Sequence, residues 1–270
     1  MKDIVENRRR ISLGRKLRIA HIALRENGVL WCTFLLVYYA SSAIAHRAFG
    51  VMDRMRHKRG IPGLNSRELN REIWNAWNWS AGGEEWSKSA EWKESLSRCI
   101  LEQEVPDHCR VLEIGPGGGR WTESLLRLAS EYTGVDISAA CVEHCRVRFA
   151  NNPNARFILG SGNDLAAVTT GSIDTIWSHD VFVHINAAEV ERYAAEFRRV
   201  LRPGGIGIIH HGGVGGASGG WRSNLTNDAF TQILARNHLR VRRSLTHWTD
   251  GDTVHRLDYD DLMTVFENPT

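Results

Sequence analysis

The stretch VLEIGPGGGRW, Val111 to Trp121, has the residue types and spacing of a loop that binds a ligand through its backbone. Its glycines lack a Cβ atom, so the main chain can approach a ligand closely and adopt positive φ angles. A helix that begins after the loop would offer free N–H groups to the same ligand. Roughly twenty residues further along, Asp136 ends the next predicted strand, a position from which a carboxylate reaches ribose hydroxyls. The sequence therefore predicts a site for a ligand that carries a ribose.

Two features of the same loop argue against a dinucleotide. The dinucleotide fingerprint GxGxxG expects a third glycine where this chain has Arg120. Glu113 lies inside the strand before the loop, where its carboxylate would suit a cationic ligand and repel a pyrophosphate. Both departures point away from a nicotinamide or flavin dinucleotide.

Several motifs together resemble those of a known family. The pattern E-x-G-x-G-x-G, followed by an acid at the end of strand two, resembles that of the class I S-adenosylmethionine-dependent methyltransferases. DTIWSHDVFVHI, Asp174 to Ile185, is similar to the family's fourth-strand motif, and RRVLRPGG, Arg198 to Gly205, to its turn into the fifth strand. The resemblance extends from Cys109 to Glu267. It implies a methyltransferase that uses S-adenosyl-L-methionine as its cofactor.

The resemblance also implies which residues hold this cofactor. Glu113 and the glycine loop would bind its methionine part, Asp136 its ribose, and Ile137 would lie beside its adenine. The exit of the third strand would border the adenine through one of three residues, Gly162, Asn163 or Asp164. Ser178 and Asp180 would lie near the amino end and the reacting methyl group. The expected cofactor-binding residues are Glu113, Gly115, Gly117, Gly119, Asp136, Ile137, Gly162, Asn163 and Ser178.

Methyl transfer to a hydroxyl needs a base, usually a histidine or a carboxylate. Ligands bind at the carboxyl ends of strands in such sheets, and these ends carry His179, Asp180, His184, His210 and His211. We expect His211 or His210 to be the base, with Asp180 as the alternative, and His184 to contact the acceptor. Adjacent histidines in a strand point to opposite faces and would not both bind one ion, so no metal is predicted.

The segment WNAWNWSAGGEEW, Trp74 to Trp86, is unusually rich in tryptophan. In the resembling family the segment before the first strand commonly folds over the cofactor and the acceptor. We therefore expect a lid that excludes water, with Trp74 and Trp77 in the core. The acceptor-binding residues of this lid would be Trp79, Glu84, Glu85 and Trp86. After strand five, a glycine-rich segment would present a flat face and a charge to the acceptor through Trp221 and Arg222.

These loops require a sheet whose strands end at one edge. Strand-like segments alternate with helical ones, at residues 109–114, 132–137, 155–160, 173–178, 205–211, 239–245 and 260–267. The alternation predicts an α/β fold, a Rossmann-like doubly wound sheet that is mostly parallel and ends in an antiparallel hairpin. We divide the chain into an N-terminal helical extension (1–65), a helical lid region (66–107) and an S-adenosylmethionine-binding domain (108–270).

The N-terminal extension combines basic clusters, such as RRR at 8–10, with the apolar run VLWCTFLLVYYASSAIA, Val29 to Ala45. This run is at the lower limit of length for a membrane span. Three structures compete for it: a helix that covers the fold, an interfacial membrane helix helped by its basic flanks, and a span. So short a run is more typical of the first two.

The composition indicates the cellular compartment and limits the kinds of partner. The net charge of +3 does not require a nucleic-acid partner, and five cysteines without a CxxC pair favour a reducing cytoplasm over a disulfide framework. We expect a cytoplasmic protein, with peripheral contact at the inner face of a membrane through residues 1–60 as an open alternative.

The histidine-bearing strand ends favour O-methylation of a hydroxyl on a small-molecule or glycan-type acceptor. Two alternatives stay open. An N-methyltransferase or nucleic-acid methyltransferase is one, although no NPPY-like motif follows strand four. The other is a non-catalytic, membrane-associated binding protein on the same fold, which would show no turnover.

Overall fold

We describe residues 12–214 and 222–270 of a computed structural model. The chain divides into two compact units, one up to Lys58 and one from Arg59 to Thr270. The predicted lid region and the predicted cofactor domain therefore belong to one unit. The boundary lies a few residues before the end that the sequence predicts for the extension.

The first unit contains one long helix in its described part, α1 (Leu13–Arg59). Gly28 interrupts α1, because its φ of 78° and ψ of 168° are not helical. Large apolar side chains of the run after Gly28 are exposed, among them Leu30, Phe34 and Leu36. By length and composition α1 could cross a membrane. The basic cluster at 8–10 lies outside the described residues.

The second unit contains the seven predicted strands, with ends shifted by up to four residues, and two further strands. They are β1 (Cys109–Ile114), β2 (Ala129–Asp136), β3 (Ala155–Leu159), β4 (Ile173–Phe182), β5 (Leu201–His211), β6 (Arg240–Leu245), β7 (His247–Asp250), β8 (Thr253–Arg256) and β9 (Leu262–Glu267). The main sheet has seven strands in the order β3-β2-β1-β4-β5-β9-β6. β1 to β5 pair in parallel, and β9 pairs antiparallel with β5 and β6. The predicted Rossmann-like, mostly parallel sheet is confirmed.

Helices cover both faces of this sheet. They are α2 (Arg67–Ala76), α3 (Ala90–Leu96), α4 (Thr122–Leu128), α5 (Ala139–Arg148), α6 (Ala187–Val200) and α7 (Asn227–Arg236). Side chains alternate across each strand, so Val111 joins the core around Trp92 and Leu125, while Leu112 joins the core around Phe197 and Phe230. The β1 segment is buried on both faces, which explains its continuous apolar sequence.

The terminal hairpin is confirmed, but its connection is more ordered than the sequence predicts. β7 and β8 form a separate two-stranded ladder between β6 and β9. The Trp248 indole anchors this ladder by donating a hydrogen bond to Ser95 Oγ, at 2.9 Å. The ladder is followed by the loop 257–261, which leads into β9.

The lid segment, residues 66–89, begins with α2 at its predicted cap. Ser66 Oγ accepts a hydrogen bond from the N–H of Leu69, at 3.2 Å. Two single helical turns follow, Trp79–Ala81 and Glu84–Trp86. Gly82 and Gly83 lie between these turns with left-handed backbone, at φ 66° and 85°.

The helical lid region predicted over 66–107 is interrupted before its next helix. α3 begins only at Ala90. The reason is a local cap, because Ser89 Oγ accepts a hydrogen bond from the N–H of Trp92, at 3.1 Å. The glutamates before Ser89 therefore belong to the lid segment and not to α3.

Candidate active site

The ends of four parallel strands open into a cavity of about 760 Å³. Ile114, Asp136, Asp180 and His210, at or near the carboxyl ends of β1, β2, β4 and β5, line it. This is the edge at which open α/β sheets bind ligands, and the volume is within the ~300–1,000 Å³ of small-molecule sites. The other walls are the glycine loop, the lid segment and the loop 257–261.

The lid segment packs directly on the glycine loop. Gly117 has a φ of 56°, and a Cβ atom there would lie 2.9 Å from the ring of Trp79. A Cβ atom on Gly118 would lie 2.5 Å from the carbonyl carbon of Gly82. Real Cβ atoms do not approach so closely, so glycine is required at both positions. The tryptophan cluster therefore covers the glycine loop.

The Asp136 carboxylate is fixed by backbone donors. Oδ2 accepts a hydrogen bond from the N–H of Gly117 at 3.1 Å, and Oδ1 accepts one from the N–H of Ser138 at 2.9 Å. Burial raises the pKa of Asp136 to about 6, while these backbone N–H groups lower it. Asp136 lines the cavity beside Ile137 and Gly162. Each carboxylate oxygen keeps lone-pair capacity, so the arrangement fits the two hydroxyls of a ribose.

Glu113 lies differently from what the family resemblance implies. It is on the face of β1 that packs under α4, and it does not line the cavity. Its Oε2 accepts hydrogen bonds from the hydroxyls of Thr122, at 2.7 Å, and Tyr132, at 2.5 Å. Burial raises the pKa of Glu113 to about 7 despite these two donors. Glu113 therefore ties the glycine loop to its flanking elements.

Asp180 is the centre of a buried polar cluster. Its backbone has a φ of 60°, which is uncommon outside glycine and often marks a functional site. Its Oδ2 lies 2.5 Å from Arg120 Nη2 and 3.2 Å from His179 Nδ1, and its Oδ1 lies 3.0 Å from His210 Nδ1. Burial raises the pKa of the Asp180 carboxyl, but the positive charge of the adjacent Arg120 guanidinium holds it well below its ordinary value. Asp180 is therefore ionised at neutral pH.

The two adjacent histidines of β5 have different surroundings. His210 lines the cavity next to Asp180, and its Nε2 lies 3.3 Å from Asp261 Oδ2. His211 does not line the cavity, and its ring packs on Phe230 at 4.0 Å between centroids. Its Nδ1 donates to the carbonyl oxygen of Gly212 and its Nε2 accepts from Thr264 Oγ1, both at 2.8 Å. Burial lowers the pKa of His211 to about 4.

His179, Asp180 and His210 bring their ligand-type atoms within 4.8 Å of one another, a spacing that could hold a metal ion. The guanidinium of Arg120 already contacts two of these three residues. Its Nη2 lies 3.0 Å from His179 Nδ1 as well as 2.5 Å from Asp180. A cation between these residues would lie against a fixed positive charge. The donor set therefore fits an arginine better than a metal ion.

The cavity wall is also rich in aromatic side chains, and charged side chains in it are paired. Six tryptophans line it, Trp74, Trp77, Trp79, Trp86, Trp92 and Trp121. Lys88 pairs with Asp258 at 2.7 Å, and Arg222 pairs with Asp261. The Arg222 guanidinium also lies 4.6 Å from the ring centroid of Tyr259. The region of Lys88 and Arg222, which we call the acceptor end, therefore offers hydrogen-bonding groups without a large excess of either charge.

The cavity includes many of the expected site residues. Of the expected cofactor-binding residues, those that line it are Gly115, Gly117, Asp136, Ile137 and Gly162. Of the expected base and acceptor residues, those that line it are Trp79, Glu85, Trp86, Asp180, His184, His210 and Arg222. Trp74 and Trp77, expected in the core, line the cavity too; Trp74 is only partly buried and Trp77 is exposed. Trp221 lies outside the described residues.

Other expected residues lie away from the cavity wall, each for a local reason. Gly119 packs against Phe149, and the Ser178 hydroxyl donates to the carbonyl oxygen of Ile114 at 2.8 Å. Asn163 faces the guanidinium groups of Arg67 and Arg192. Glu84 pairs with Lys93 on the outer side of the lid segment. Glu113 and His211 are held as described above.

Sequence patterns gave little indication of several residues that line the cavity. They are Arg120, Trp121, Trp92, Tyr259 and Asp261. Arg120 stands where a dinucleotide loop has its third glycine, and that departure was its only signal. Asp261 and Tyr259 come from the loop before β9, which carries no motif.

Comparisons with known proteins agree with this geometry. Residues 111–205 match the family model of a methyltransferase domain. The chain is 33% identical over 98 residues to the ubiquinone biosynthesis O-methyltransferase of Xanthomonas oryzae pv. oryzae, covering 36% of this chain and 40% of that protein. It is 32% identical over 134 residues to the squalestatin hexaketide synthase of Phoma sp., covering 42% of this chain and 5% of that protein. The chain thus spans about two fifths of the length of the first relative.

Solved structures share the fold. The N-methyltransferase NodS from Bradyrhizobium japonicum, in complex with S-adenosyl-L-homocysteine, has a TM-score of 0.59 at 15% identity and covers 76% of this chain and 99% of that one. Geranyl diphosphate methyltransferase has a TM-score of 0.58 at 13% identity and covers 75% of this chain and 98% of that one. The matched family model and the shared fold lead to one assignment: this chain carries a methyltransferase domain, with the fold of S-adenosylmethionine-dependent methyltransferases.

Proposed function

We propose that the protein transfers a methyl group from S-adenosyl-L-methionine to a hydroxyl of a small-molecule or glycan-type acceptor. The observation that carries this proposal is the shared cavity, in which the Asp136 carboxylate and the neighbouring side chains of Asp180 and His210 line one space. The O-methyltransferases among the relatives support the hydroxyl acceptor.

The cofactor end would hold S-adenosyl-L-methionine through its ribose and adenosine. Asp136 would accept hydrogen bonds from the ribose hydroxyls, and Ile137 and Gly162 would flank the adenine. Gly115 and Gly117 would leave room for the methionine part, because a side chain on either would collide with Val181 or Trp79. The bound cofactor supplies an electrophilic methyl group on a sulfonium.

The proton of the acceptor hydroxyl would go to the pair of Asp180 and His210. The Asp180 side chain is 33% exposed and the His210 side chain 4%, so the carboxylate is the member that contacts the acceptor. The low pKa of Asp180 makes it a poor final proton acceptor. In the structure His210 Nδ1 accepts a hydrogen bond from the backbone N–H of Asp180, at 3.1 Å. His210 would therefore take the proton at Nδ1, and this nitrogen would then give up that bond and donate to Asp180 Oδ1, 3.0 Å away. Asp261 would stabilise the resulting imidazolium from its Nε2 side, at 3.3 Å.

The lid segment would bind the acceptor and exclude water. Aromatic faces stack on sugars and flat rings, and Trp79, Trp86 and His184 line the acceptor end. Glu85 and Arg222 add hydrogen-bonding groups there. Because the charges of this end are compensated, we propose a neutral acceptor, with no nucleic acid and no metal ion involved. We place the reaction in the cytoplasm or at the inner face of a membrane.

Calorimetric binding of S-adenosyl-L-homocysteine tests the cofactor site. We expect binding to the full chain, loss of binding in Asp136→Ala and Asp136→Asn, and no change in Asp252→Ala, which alters an exposed turn. Thermal unfolding of each variant shows whether it is folded. A folded chain that binds no cofactor would contradict the proposal.

The acceptor is tested with a methyl-labelled cofactor and paired acceptors that carry a hydroxyl or an amine on the same framework. Label on the hydroxyl members alone is expected. Label on the amines would make the protein an N-methyltransferase. Cofactor binding without transfer to any acceptor would instead support a binding protein on the methyltransferase fold.

A further inference from the structure

The first unit contains a helical stretch without a formal charge. From Asn27 to His46 the sequence has no Asp, Glu, Lys or Arg. Gly28 is not helical, so the helical part of this stretch runs over residues 29–46. At ~1.5 Å per residue it is about 27 Å long, close to the ~30 Å hydrocarbon thickness of a bilayer. Its length therefore matches a crossing.

Apolar side chains surround this stretch on all sides. Leu36, Val37, Tyr38 and Tyr39 are consecutive and exposed, and successive residues of a helix point about 100° apart. They therefore cover the whole circumference. A helix that lies in the membrane interface keeps one strongly polar face, and this stretch has none.

Three polar side chains within the stretch form hydrogen bonds to its own backbone. Thr33 Oγ1 donates to the carbonyl oxygen of Val29 at 2.9 Å, and Ser41 Oγ donates to that of Tyr38 at 3.0 Å. His46 Nδ1 lies 2.8 Å from the carbonyl oxygen of Ser42. Hydrocarbon offers no water, so a spanning segment must satisfy its polar groups internally.

Basic residues flank the stretch at both ends. Arg18 and Arg25 precede it, and Arg47, Arg54 and Lys58 follow it. Cations in these positions interact with lipid headgroups, which are anionic in many membranes. We propose that residues 29–46 span a lipid bilayer as a single transmembrane helix. This inference does not depend on the proposed methyl transfer. It replaces the peripheral membrane contact considered for residues 1–60 by a membrane-spanning helix.

Membrane extraction of the full chain is the first test. The protein should stay in the membrane fraction through washes with high salt and alkaline carbonate, and only detergent should release it. Release by either wash would overturn the crossing.

Labelling from the two sides of sealed vesicles is the sharper test. Leu24→Cys and Val51→Cys place a thiol at exposed positions on either side of the stretch. The background is Cys32→Ser with Cys99→Ser, because the other cysteines are buried. A membrane-impermeant thiol reagent should label one position from outside and the other only after permeabilisation. Labelling of both from the same side would show an interfacial helix and overturn the proposal.

A matched pair of lysine substitutions tests whether the apolar stretch is what holds the protein in the membrane. Leu36, 71% exposed, lies in the stretch, and Leu17, 63% exposed, lies in α1 before it. Leu36→Lys should lower the membrane-bound fraction several-fold, and Leu17→Lys should leave it unchanged. Equal partition of both variants would overturn the proposal. Binding of S-adenosyl-L-homocysteine in detergent, expected in both, separates a failure of insertion from a failure of the cofactor site.

Discussion

At the scale of single residues, the pair of Asp180 and His210 is the part of the site that the geometry defines most closely. The two histidines of β5 are neighbours in sequence, yet only His210 lines the cavity. His179 and His211, with pKa values lowered by burial to about 3 and about 4, stay neutral at physiological pH. They fit structural roles better than proton transfer.

Substitution of the two β5 histidines separates these roles. His210→Gln should lower kcat by about 10²–10⁴-fold, the usual contribution of a general base. His211→Gln should change kcat little and lower the free energy of unfolding by about 1–3 kcal/mol, since it disturbs buried hydrogen bonds to Gly212 and Thr264. Steady-state kinetics and urea unfolding of both variants check this. Equal losses of kcat would remove His210 from its assigned role.

Glu113 makes stability depend on pH. Its pKa in the folded protein is raised to about 7 from 4.5, so between these pH values the folded state binds more protons than the unfolded state. Stability therefore falls as pH rises through this window, by up to about 3 kcal/mol. The raised pKa of Asp136 also makes stability fall as pH rises, but only up to about pH 6, where this carboxyl ionises in the folded protein.

Glu113→Gln should remove the contribution of Glu113 to the loss of stability with rising pH. Urea unfolding at a series of pH values would show the original protein losing stability between pH 6 and pH 7 relative to the variant. Glu143→Gln, an exposed control, should follow the original protein. Parallel curves for Glu113→Gln and the original protein would contradict the raised pKa.

At the scale of elements, the contact of the lid segment with the glycine loop connects cofactor binding to the position of the tryptophans. Gly117 and Gly171 both have left-handed backbone, at φ 56° and 64°, but a Cβ atom on Gly171 has nothing within 4 Å. A side chain at Gly171 would therefore cause backbone strain alone, whereas a side chain at Gly117 would cause the same strain and a collision with Trp79.

Alanine at these two glycines should have unequal effects. Gly171→Ala should cost about 1–2 kcal/mol of stability, the strain of the left-handed backbone alone, and leave cofactor binding intact. Gly117→Ala should cost more and abolish binding, because its Cβ would collide with Trp79. Trp79→Leu in the same chain should recover part of the stability. An equal cost at both glycines would show that the lid segment does not press on the loop.

The sequence predicted most elements because their signals are local. β1, the glycine loop and α6 follow from apolar periodicity, turn residues and motif spacing over short stretches. Which face of β5 His210 occupies depends on its register with β9, where it pairs with Met263. Asp261 reaches the cavity only because the β7–β8 ladder brings the loop before β9 across the strand ends. Such information lies in the tertiary fold and not in any short segment.

At the scale of the whole molecule, the division into two units separates two tasks. The described residues that line the cavity belong to the unit that begins at Arg59. The first unit carries the apolar helix. Catalysis and location are therefore assigned to different parts of one chain.

Removal of residues 1–58 tests this separation. The shortened chain should remain soluble without detergent and should bind S-adenosyl-L-homocysteine with the affinity of the full chain, measured by calorimetry. Weaker binding by a folded shortened chain would show that the first unit contributes to the cofactor site.

The tryptophan cluster has an optical consequence. Trp74, Trp77 and Trp86 lie with ring centroids 5.2–6.4 Å apart at interplanar angles of 36–81°. Indole transitions held so close and so tilted share their excitation, and this coupling gives circular dichroism a pair of bands of opposite sign. The pair would weaken whenever these three rings, which all belong to the lid segment, change their mutual distances or angles. The protein thus contains an unlabelled spectroscopic reporter of the packing within the lid segment, readable in the time course of a single turnover.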